Sequence, residues 1–305
     1  MDRFHQLQVY VAVAEEEGFA AAARRLQLSP PAVTRAVASL EDTLGVKLLD
    51  RTTRYVRATE AGRRYLEDAR QILAGLEAAD EAAAGINAEP RGHLAVTAPV
   101  MFGRLFVMPS IVDYLERYQA MDVEAVFLDR SVNLLEEGLD VGVRIGDLPD
   151  SSMHALKVGE VRHVLVASTA YLEQHGSPPV PLDLKEHTLI ASTAGGFSSG
   201  WRFAESSGEH SLKVNARLTV TSNEAVITAA VAGFGIARLL SYQVAAQVQA
   251  GQLQILLPEY EPPSHPVHIM HREGRHASAK VRAFIDLLAE RLRADNLQNP
   301  RVPPA

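Results

Sequence analysis

Cysteine is absent from the 305 residues of this chain. Disulfides, cysteine-based zinc sites, a catalytic cysteine and thiol redox sensing are therefore excluded. Long hydrophobic runs are missing too, because no stretch approaches the ~18 consecutive apolar residues of a membrane-spanning helix. The amphipathic N-terminal segment lacks the basic-then-apolar order of a signal peptide. Together these absences predict a soluble, cytoplasmic protein with no membrane partner.

Positive charge is also in short supply. The chain has 30 Lys and Arg residues against 37 Asp and Glu residues, so its net charge is −7. This balance excludes a uniformly basic nucleic-acid binder. Any DNA binding must therefore depend on a local basic cluster. The length allows two or three domains with a substantial core.

The segment from residue 19 to residue 59 contains a helical motif, and a local basic cluster follows it. An alanine-rich stretch, a three-residue turn and a second apolar-periodic stretch predict a helix-turn-helix. Ser29 is the predicted cap of the second helix, and Pro30 and Pro31 suit its first turn. One buried stripe is expected at four positions with helical spacing, Val33, Val37, Leu40 and Leu44.

The opposite face of the second helix carries polar groups suited to base edges and phosphates. Residues 50–57 then form a predicted β-hairpin wing, and between residues 51 and 64 five arginines face a single acidic residue, Glu60. A basic cluster beside such a helix predicts phosphate contact. An ordinary surface helix in a bundle is the alternative interpretation. The predicted DNA-binding residues are Ser29, Pro30, Pro31, Thr34, Arg35 and Ser39, with Arg51, Thr52, Thr53 and Arg54 in the wing.

A long helix is predicted from residue 60 to about residue 87, with Thr59 as its cap. Apolar residues alternate at spacings of three and four over three heptads, which favours pairing with a second copy of the helix. The alternative is a long helix that lies on its own domain. The predicted dimerisation seam is Tyr65, Ala69, Ile72, Leu76, Ala79, Ala83 and Ile86.

Beyond residue 90 the pattern changes to alternating strands and helices, which predicts an α/β fold with parallel strands. The predicted domains are a winged helix-turn-helix at 1–59, a dimerisation helix at 60–90 and an α/β domain at 91–298. The α/β domain divides into subdomain I, about 91–162 and 267–298, and subdomain II, about 163–266. This layout looks like a periplasmic-binding-protein-like sensor, and the Pro-rich tail 299–305 is predicted to be disordered.

Two sets of positions carry a family resemblance. In the N-terminal part they are Phe19, Ala22, Ala23, Leu26, Ser29, Pro31, Ala32, Val33, Thr34, Arg35, Leu40, Glu41, Leu44, Gly45, Val46, Leu48, Leu49, Arg51 and residues 59–62. In the α/β part they are the runs 96–104, 129–132, 136–146 and 232–237. These residues resemble LysR-type transcriptional regulators over nearly the whole chain. Two positions depart from the family pattern, Gln27 where Gly is frequent and Pro30 where Gln is frequent.

The resemblance implies a DNA-binding transcriptional regulator whose small-molecule effector, an aromatic or organic acid, binds between two α/β subdomains. It also implies operator DNA and RNA polymerase as partners, and a homodimer that assembles into a homotetramer. No cofactor and no metal are implied. Transferred position by position, the effector site is Thr97, Ala98, Pro99, Val100, Phe102, Leu128, Asp129, Arg130, Ser192, Trp201, Ser222 and Asn223.

Several of these positions have a purely structural interpretation. Trp201, the only tryptophan, could stack on an aromatic effector or pack in a core. Asp129 and Arg130 could form a local ion pair. Ser222 and Asn223 could be a plain helix cap.

Three other functions are weaker alternatives. Residues 196–200 match G-x-S-x-G, so Ser198 is a candidate hydrolase nucleophile, but a Gly/Ser-rich loop follows where that mechanism needs a helix. His265, His268 and His271 suggest a metal, yet on a strand His268 points away from the other two. An effector-binding module without a regulatory role is disfavoured by the N-terminal DNA-binding segment.

Overall fold

A computed structural model describes residues 2–51, 56–84, 89–148, 153–194, 200–205, 208–272 and 277–295. The chain divides into two compact units, Met1–Ala88 and Glu89–Ala305. No helix in the described ranges is both long and apolar enough to cross a bilayer.

The first unit has three helices, a two-stranded wing and a long fourth helix. Its elements are α1 Arg3–Glu15, α2 Phe19–Arg25, α3 Pro30–Leu44, β1 Leu49–Arg51, β2 Val56–Ala58 and α4 Glu60–Ala84. The predicted stripe of α3 is confirmed, because Val33, Val37 and Leu40 lie in one core with residues of α1 and α2. The predicted wing is confirmed as an antiparallel pair in which Leu49 faces Ala58.

The predicted side-chain cap at Ser29 is wrong. Ser29 precedes α3 with extended backbone, but its hydroxyl makes no capping hydrogen bond. The two prolines that follow have no N–H to offer. The next amide, that of Ala32, donates instead to the Ser29 carbonyl oxygen at 2.9 Å. The predicted cap at Thr59 is confirmed, because its Oγ1 accepts from the Gly62 amide at 2.9 Å.

The turn between α2 and α3 contains a non-glycine residue in the left-handed region, Gln27, with φ of 55°. Such a conformation costs an L-residue about 1–2 kcal/mol. The chain therefore accepts at Gln27 the strain that glycine would avoid.

The second unit contains two lobes, each built on a five-stranded sheet. Its elements are β3 Gly92–Ala98, α5 Val100–Phe102, α6 Met108–Arg117, β4 Met121–Phe127, β5 Val141–Ile145, β6 His154–Val161, β7 His163–Ala167, α7 Thr169–His175, β8 Leu189–Ser192, β9 Gly200–Glu205, β10 Gly208–Lys213, β11 Leu218–Val220, α8 Asn223–Val231, β12 Ile236–Leu240, α9 Ser241–Gln249, β13 Gln254–Leu256, β14 His265–His271 and α10 Ala279–Ala294. The first-lobe sheet has the order β4-β3-β5-β14-β6 and the second-lobe sheet the order β11-β8-β12-β7-β13.

The chain crosses between the lobes twice. β6 ends in the first sheet and β7 begins in the second, so Arg162 is the first crossover. The chain returns between Leu256 and His265. A side-chain hydrogen bond from Arg162 to Glu261 ties the two crossovers together. One core spans both lobes, with Phe102 on one side and Tyr242 on the other.

The sequence pattern also predicts individual elements within this unit, and two of them, helices at 131–137 and 102–118, differ from what the structure shows. Residues 134–138 form a turn rather than the helix predicted at 131–137. Five residues of the helix predicted at 102–118, Gly103–Val107, are π-helical. For residues 212–221 the sequence leaves two possibilities open, a strand pair or one long strand, and the structure has two strands, β10 and β11, separated by residues 214–217.

Glu41 carries a testable consequence for the wing. Its buried carboxylate accepts from the Leu48 and Leu49 amides at 3.0 and 3.1 Å. Glu41→Ala leaves both N–H groups without this acceptor, at a cost of about 2–4 kcal/mol to the local structure. We expect faster hydrogen–deuterium exchange at both amides. Asp42→Ala, at the exposed neighbouring position, should not change it, and unaltered exchange in Glu41→Ala would contradict the anchoring role.

Candidate DNA interface and effector site

The outer face of α3 presents the predicted base-reading side chains to solvent. Thr34 and Arg35 are exposed, whereas Val33 and Val37 on the opposite face are fully buried. Among the described residues, Arg35 has no hydrogen-bond or ion-pair partner. Its guanidinium is therefore available to an external phosphate or base edge.

The other predicted contacts on α3 lie around its N-terminus and along one side. Ser29, Pro30 and Pro31 are exposed. The Thr34 hydroxyl donates to the Pro30 carbonyl oxygen at 3.0 Å. Ser39 is half-buried and accepts a hydrogen bond of 2.9 Å from the Gln6 amide, which links it to α1.

The wing is described only in part. Arg51 is the last residue of β1, and Thr52, Thr53 and Arg54 lie outside the described residues. Arg57 is exposed on β2, opposite Asp50. It was not among the predicted contacts, although its place in the arginine-rich segment could have indicated it.

The long helix α4 begins against its own chain. The rings of Tyr65 and Tyr10 are 5.8 Å apart, and Arg3 donates to the Tyr65 hydroxyl at 3.3 Å. Arg70 pairs with Glu15 of α1 at 2.8 Å. Thus the first three turns of α4 fit the interpretation of a helix that lies on its own domain.

Farther along α4, the predicted seam emerges into solvent. Ala69 is fully buried, but Ile72 is 48 % exposed and Leu76 is 36 % exposed. Ala79 and Ala83 continue the helix, and Ile86 lies outside the described residues. Two large apolar side chains four residues apart on α4 are therefore open to solvent in the described part of the helix.

The first predicted effector contacts lie at the end of β3. The Thr97 hydroxyl donates to the Val126 carbonyl oxygen at 2.7 Å, and Ala98 and Phe102 are buried. Pro99 precedes α5, and Val100 is 36 % exposed. Of these, Val100 is the side chain most open to a ligand.

A carboxylate of the protein already occupies the start of α5. The Val100 amide donates to Asp129 Oδ1 at 3.0 Å. The resemblance places an effector that is an acid at this turn, and Asp129 puts a carboxylate of the protein there. The Leu128 amide donates to the Ala98 carbonyl oxygen at 2.9 Å, which holds this loop against β3.

Arg130 forms a two-pronged ion pair with Glu137, with both N–O distances at 2.7 Å. This hydrogen bond raises the pKa of Arg130 and lowers the pKa of Glu137. The local pair proposed from sequence between Asp129 and Arg130 is not what forms, since each has a different partner.

The predicted second-lobe contacts are engaged within the lobe. Ser192 Oγ accepts from the Ala194 amide at 3.1 Å. Ser222 caps α8 by accepting from the Ala225 amide at 3.3 Å, and Asn223 is the first residue of that helix. The helix-cap interpretation of Ser222 is confirmed.

Two contacts between the lobes were missed by sequence reasoning. The side chains of Arg104 and Glu224 approach to 4.0 Å. The ring of Phe102 meets that of Tyr242 edge-on, with centroids 5.3 Å apart. Arg104 follows the predicted strand-to-helix turn, so its position could have indicated that it lies near the effector site. Nothing in the sequence pairs it with Glu224, 120 residues later.

Trp201 lies in the β9–β10 hairpin and is only 7 % exposed. It shares a small core with Phe203, Tyr171 and Leu184. This burial supports the packing interpretation over stacking on an effector.

The residues behind the weaker alternatives are arranged as follows. Ser198 lies outside the described residues, and the segment after it, from Gly200, is a strand rather than the helix a nucleophile elbow needs.

The His265 ring packs edge-on against His163 at 4.8 Å, and the His271 ring stacks near His154 at 5.7 Å. Within the described ranges, no group of three or more acidic or histidine side chains could hold a metal.

The fold and exposed face define a winged helix-turn-helix protein with a two-lobed α/β ligand-binding unit. Residues 4–63 match the model of the bacterial regulatory helix-turn-helix protein, lysR family, and residues 87–293 match the LysR substrate binding domain. The chain belongs to the LysR family of DNA-binding transcriptional regulators.

Three named relatives are similar to this chain over almost the full length of both proteins. The HTH-type transcriptional regulator DmlR of Escherichia coli is 32 % identical over 287 residues, 94 % of this chain and 93 % of DmlR. The structure of CrgA, a LysR-type regulator from Neisseria meningitidis, has a TM-score of 0.60 at 30 % identity and covers 94 % of this chain and 98 % of CrgA. The Vibrio cholerae virulence activator AphB has a TM-score of 0.61 at 25 % identity and covers 95 % and 99 %.

His163, whose ring Nδ1 is buried, predicts an acid-sensitive second lobe. Burial, with help from Arg238, lowers the pKa of His163 to about 3. The unfolded chain takes up this proton near pH 6.5 and the folded chain does not, so stability falls as pH drops from about 6.5 towards 3. The contribution approaches about 1.4 kcal/mol per pH unit.

We expect His163→Gln to flatten this part of the stability profile, as measured by urea unfolding with Trp201 fluorescence between pH 7 and pH 4. His210→Gln, which changes an exposed histidine of the same lobe, should leave the slope unchanged. Parallel profiles for His163→Gln and the unmodified chain would contradict the assignment.

Proposed function

We propose that α3 enters the major groove of an operator and that the wing contacts the DNA backbone or the minor groove. The contacts would come from the ten residues predicted above, with Arg57 added. The observation that carries this proposal is the guanidinium of Arg35, which is exposed on the face opposite the core and has no partner among the residues that the structure describes. A helix-turn-helix reads base edges with such a face.

We propose further that the protein dimerises through the exposed part of α4. Ile72 and Leu76 supply the apolar seam in the described part of the helix, and Ala79, Ala83 and Ile86 would extend it. Tyr65 and Ala69 would instead hold α4 to its own DNA-binding unit. Two linked recognition helices suit a palindromic operator, and two such dimers would make the tetramer.

The effector would bind between the lobes, near the ends of β3, β4 and β8. We propose an aromatic or organic acid whose carboxylate replaces Glu224 as the partner of Arg104. At 4.0 Å the existing ion pair is loose and partly exposed, so exchanging it would cost little. Val100 and the Ser192 and Ser222 hydroxyls would line the same site.

Binding would change transcription only if the effector has different affinities for two arrangements of the lobes. The altered arrangement would change DNA bending and the contact with RNA polymerase. The protein would act in the cytoplasm, with its DNA, and not as an enzyme. A hydrolase role would require turnover of an ester that depends on Ser198.

Replacing Arg35 tests the DNA-binding proposal. Arg35→Ala should weaken operator binding by about 1–3 kcal/mol, because one guanidinium contact to a base or phosphate is lost. Footprinting on the operator would show the weaker protection. Arg217→Ala removes the same charge from an exposed position in the second unit and should leave protection intact. Equal protection by Arg35→Ala and the unmodified protein would count against the assignment.

Replacing the exposed seam tests dimerisation. Ile72→Asp combined with Leu76→Asp would bring four carboxylates together in a paired seam, so we expect monomers in sedimentation velocity. Ile72→Leu, which keeps the position apolar, should remain a dimer. A dimer that persists in the double aspartate variant would mean that the chains associate through another surface.

A further inference from the structure

The segment between α3 and the long helix α4 contacts both helices through the backbone of one residue, Leu48. The Leu48 amide donates to the buried carboxylate of Glu41 on α3 at 3.0 Å. The Leu48 carbonyl oxygen accepts from the amide of Thr59, directly before α4, at 2.9 Å. Leu48 is itself buried in the core of the first unit. The direction of α4 relative to α3 therefore depends on how closely the start of α4 approaches Leu48.

Gly62, in the first turn of α4, allows a very close approach because it has no side chain. A Cβ placed on Gly62 would lie 2.0 Å from the Leu48 carbonyl oxygen and 2.9 Å from its carbonyl carbon. Even close C–H···O contacts have carbon–oxygen distances of about 3.3–3.6 Å. Since the atoms it would meet belong to the backbone, any other residue at position 62 would move the start of α4 away from Leu48 by more than about 1 Å.

Three hydrogen bonds hold the first turn of α4 at this distance. The Gly62 amide donates to Thr59 Oγ1, and the Thr59 hydroxyl donates to the Lys47 carbonyl oxygen, each at 2.9 Å. The Gly62 carbonyl oxygen accepts from the hydroxyl of Tyr10 on α1 at 2.7 Å, and Tyr10 lies in the same core as the buried face of α3. Contacts to α1 and to the segment after α3 thus fix this turn.

The direction of α4 matters because the same helix carries the exposed apolar residues Ile72 and Leu76. They follow Gly62 by ten and fourteen residues. At a rise of about 1.5 Å per residue, they lie roughly 15–21 Å farther along the helix. A change in the tilt of α4 at Gly62 would be magnified over this length. In a dimer joined at Ile72 and Leu76, the packing at Gly62 therefore decides how each α3 is held relative to the dimer axis.

We propose that Gly62 is a positioning residue that sets the separation of the two α3 helices in the dimer, and with it the spacing of the two half-sites in the operator. This rests on the dimer and the operator contacts proposed above. Half-site spacing follows from the geometry of the protein dimer. Here a buried glycine controls that geometry through backbone packing, without a side chain that contacts DNA.

A distance measurement on the full chain tests the proposal without DNA. The chain has no cysteine, so Asp42→Cys, at an exposed position of α3, gives one spin-label site per chain. Pulsed electron paramagnetic resonance then gives the distance between the two labels of a dimer. We expect Gly62→Ala to change the mean distance by at least about 3 Å, roughly one base-pair step. Gly75→Ala, at a point of α4 where a Cβ meets nothing within 4 Å, should leave it unchanged.

A second variant covers the case in which Gly62→Ala does not fold. Tyr10→Phe removes the hydrogen bond to the Gly62 carbonyl oxygen without adding an atom, so we expect a broader distribution of label distances. Unchanged distances in every folded variant that sediments as a dimer would overturn the proposal and leave the dimer itself standing. A monomeric unmodified chain would instead contradict the proposed dimer, and the role of Gly62 with it.

The matching DNA experiment uses an operator selected by the unmodified chain, with base pairs added or removed between its half-sites. We expect the unmodified chain to prefer one spacing over its neighbours by on the order of fivefold, and Gly62→Ala to shift or lose this preference while the half-site sequence stays the same. A general loss of stability would weaken binding at every spacing alike. The same ratio between spacings in Gly62→Ala and the unmodified chain would therefore overturn the proposal.

Discussion

The one-sided burial of α3 is the constraint on which the DNA-binding role depends. Val33, Val37 and Leu40 are fully buried against the neighbouring helices, so the helix cannot rotate without exposing them. That fixed orientation turns Arg35 outward. A chain with a net charge of −7 repels DNA on average. It can bind only if a small basic surface is held rigidly in the right direction, and the core beneath α3 provides this.

The ligand-binding unit depends on internal partners in a comparable way. Asp129 occupies the start of α5, Glu137 holds Arg130, and Ser222 caps α8. Groups that sequence reasoning offered to an effector are thus engaged within the protein. The contacts that join the lobes, the Phe102–Tyr242 ring pair and the loose Arg104–Glu224 pair, differ in strength. The rings pack edge-on, whereas the ion pair is long and partly exposed, so the proposed exchange with an effector carboxylate involves the ion pair.

Local patterns predicted local structure well. Apolar spacing identified α3 and α4, and the basic segment identified the wing. Expectations failed where a distant or unusual residue decided the outcome. Pro31 lacks one amide that the Ser29 side chain could have capped, and the next amide, that of Ala32, donates to the Ser29 carbonyl oxygen. The Asp129 cap joins residues 29 positions apart. The β9–β10 hairpin was missed because β10 is almost wholly exposed and has no alternating pattern of apolar residues. Without that hairpin, the sequence did not show which core Trp201 of β9 would pack into.

The salt dependence of duplex DNA binding by the full chain tests the central claim most directly. The account predicts tight binding at 50 mM salt that weakens steeply towards 200 mM, because a confined arginine-rich surface displaces counterions from several phosphates, with a loss on the order of tenfold or more. The fragment of residues 89–305 should not bind at either concentration. Absence of binding by the full chain at low salt, or equal binding by the fragment, would contradict the account.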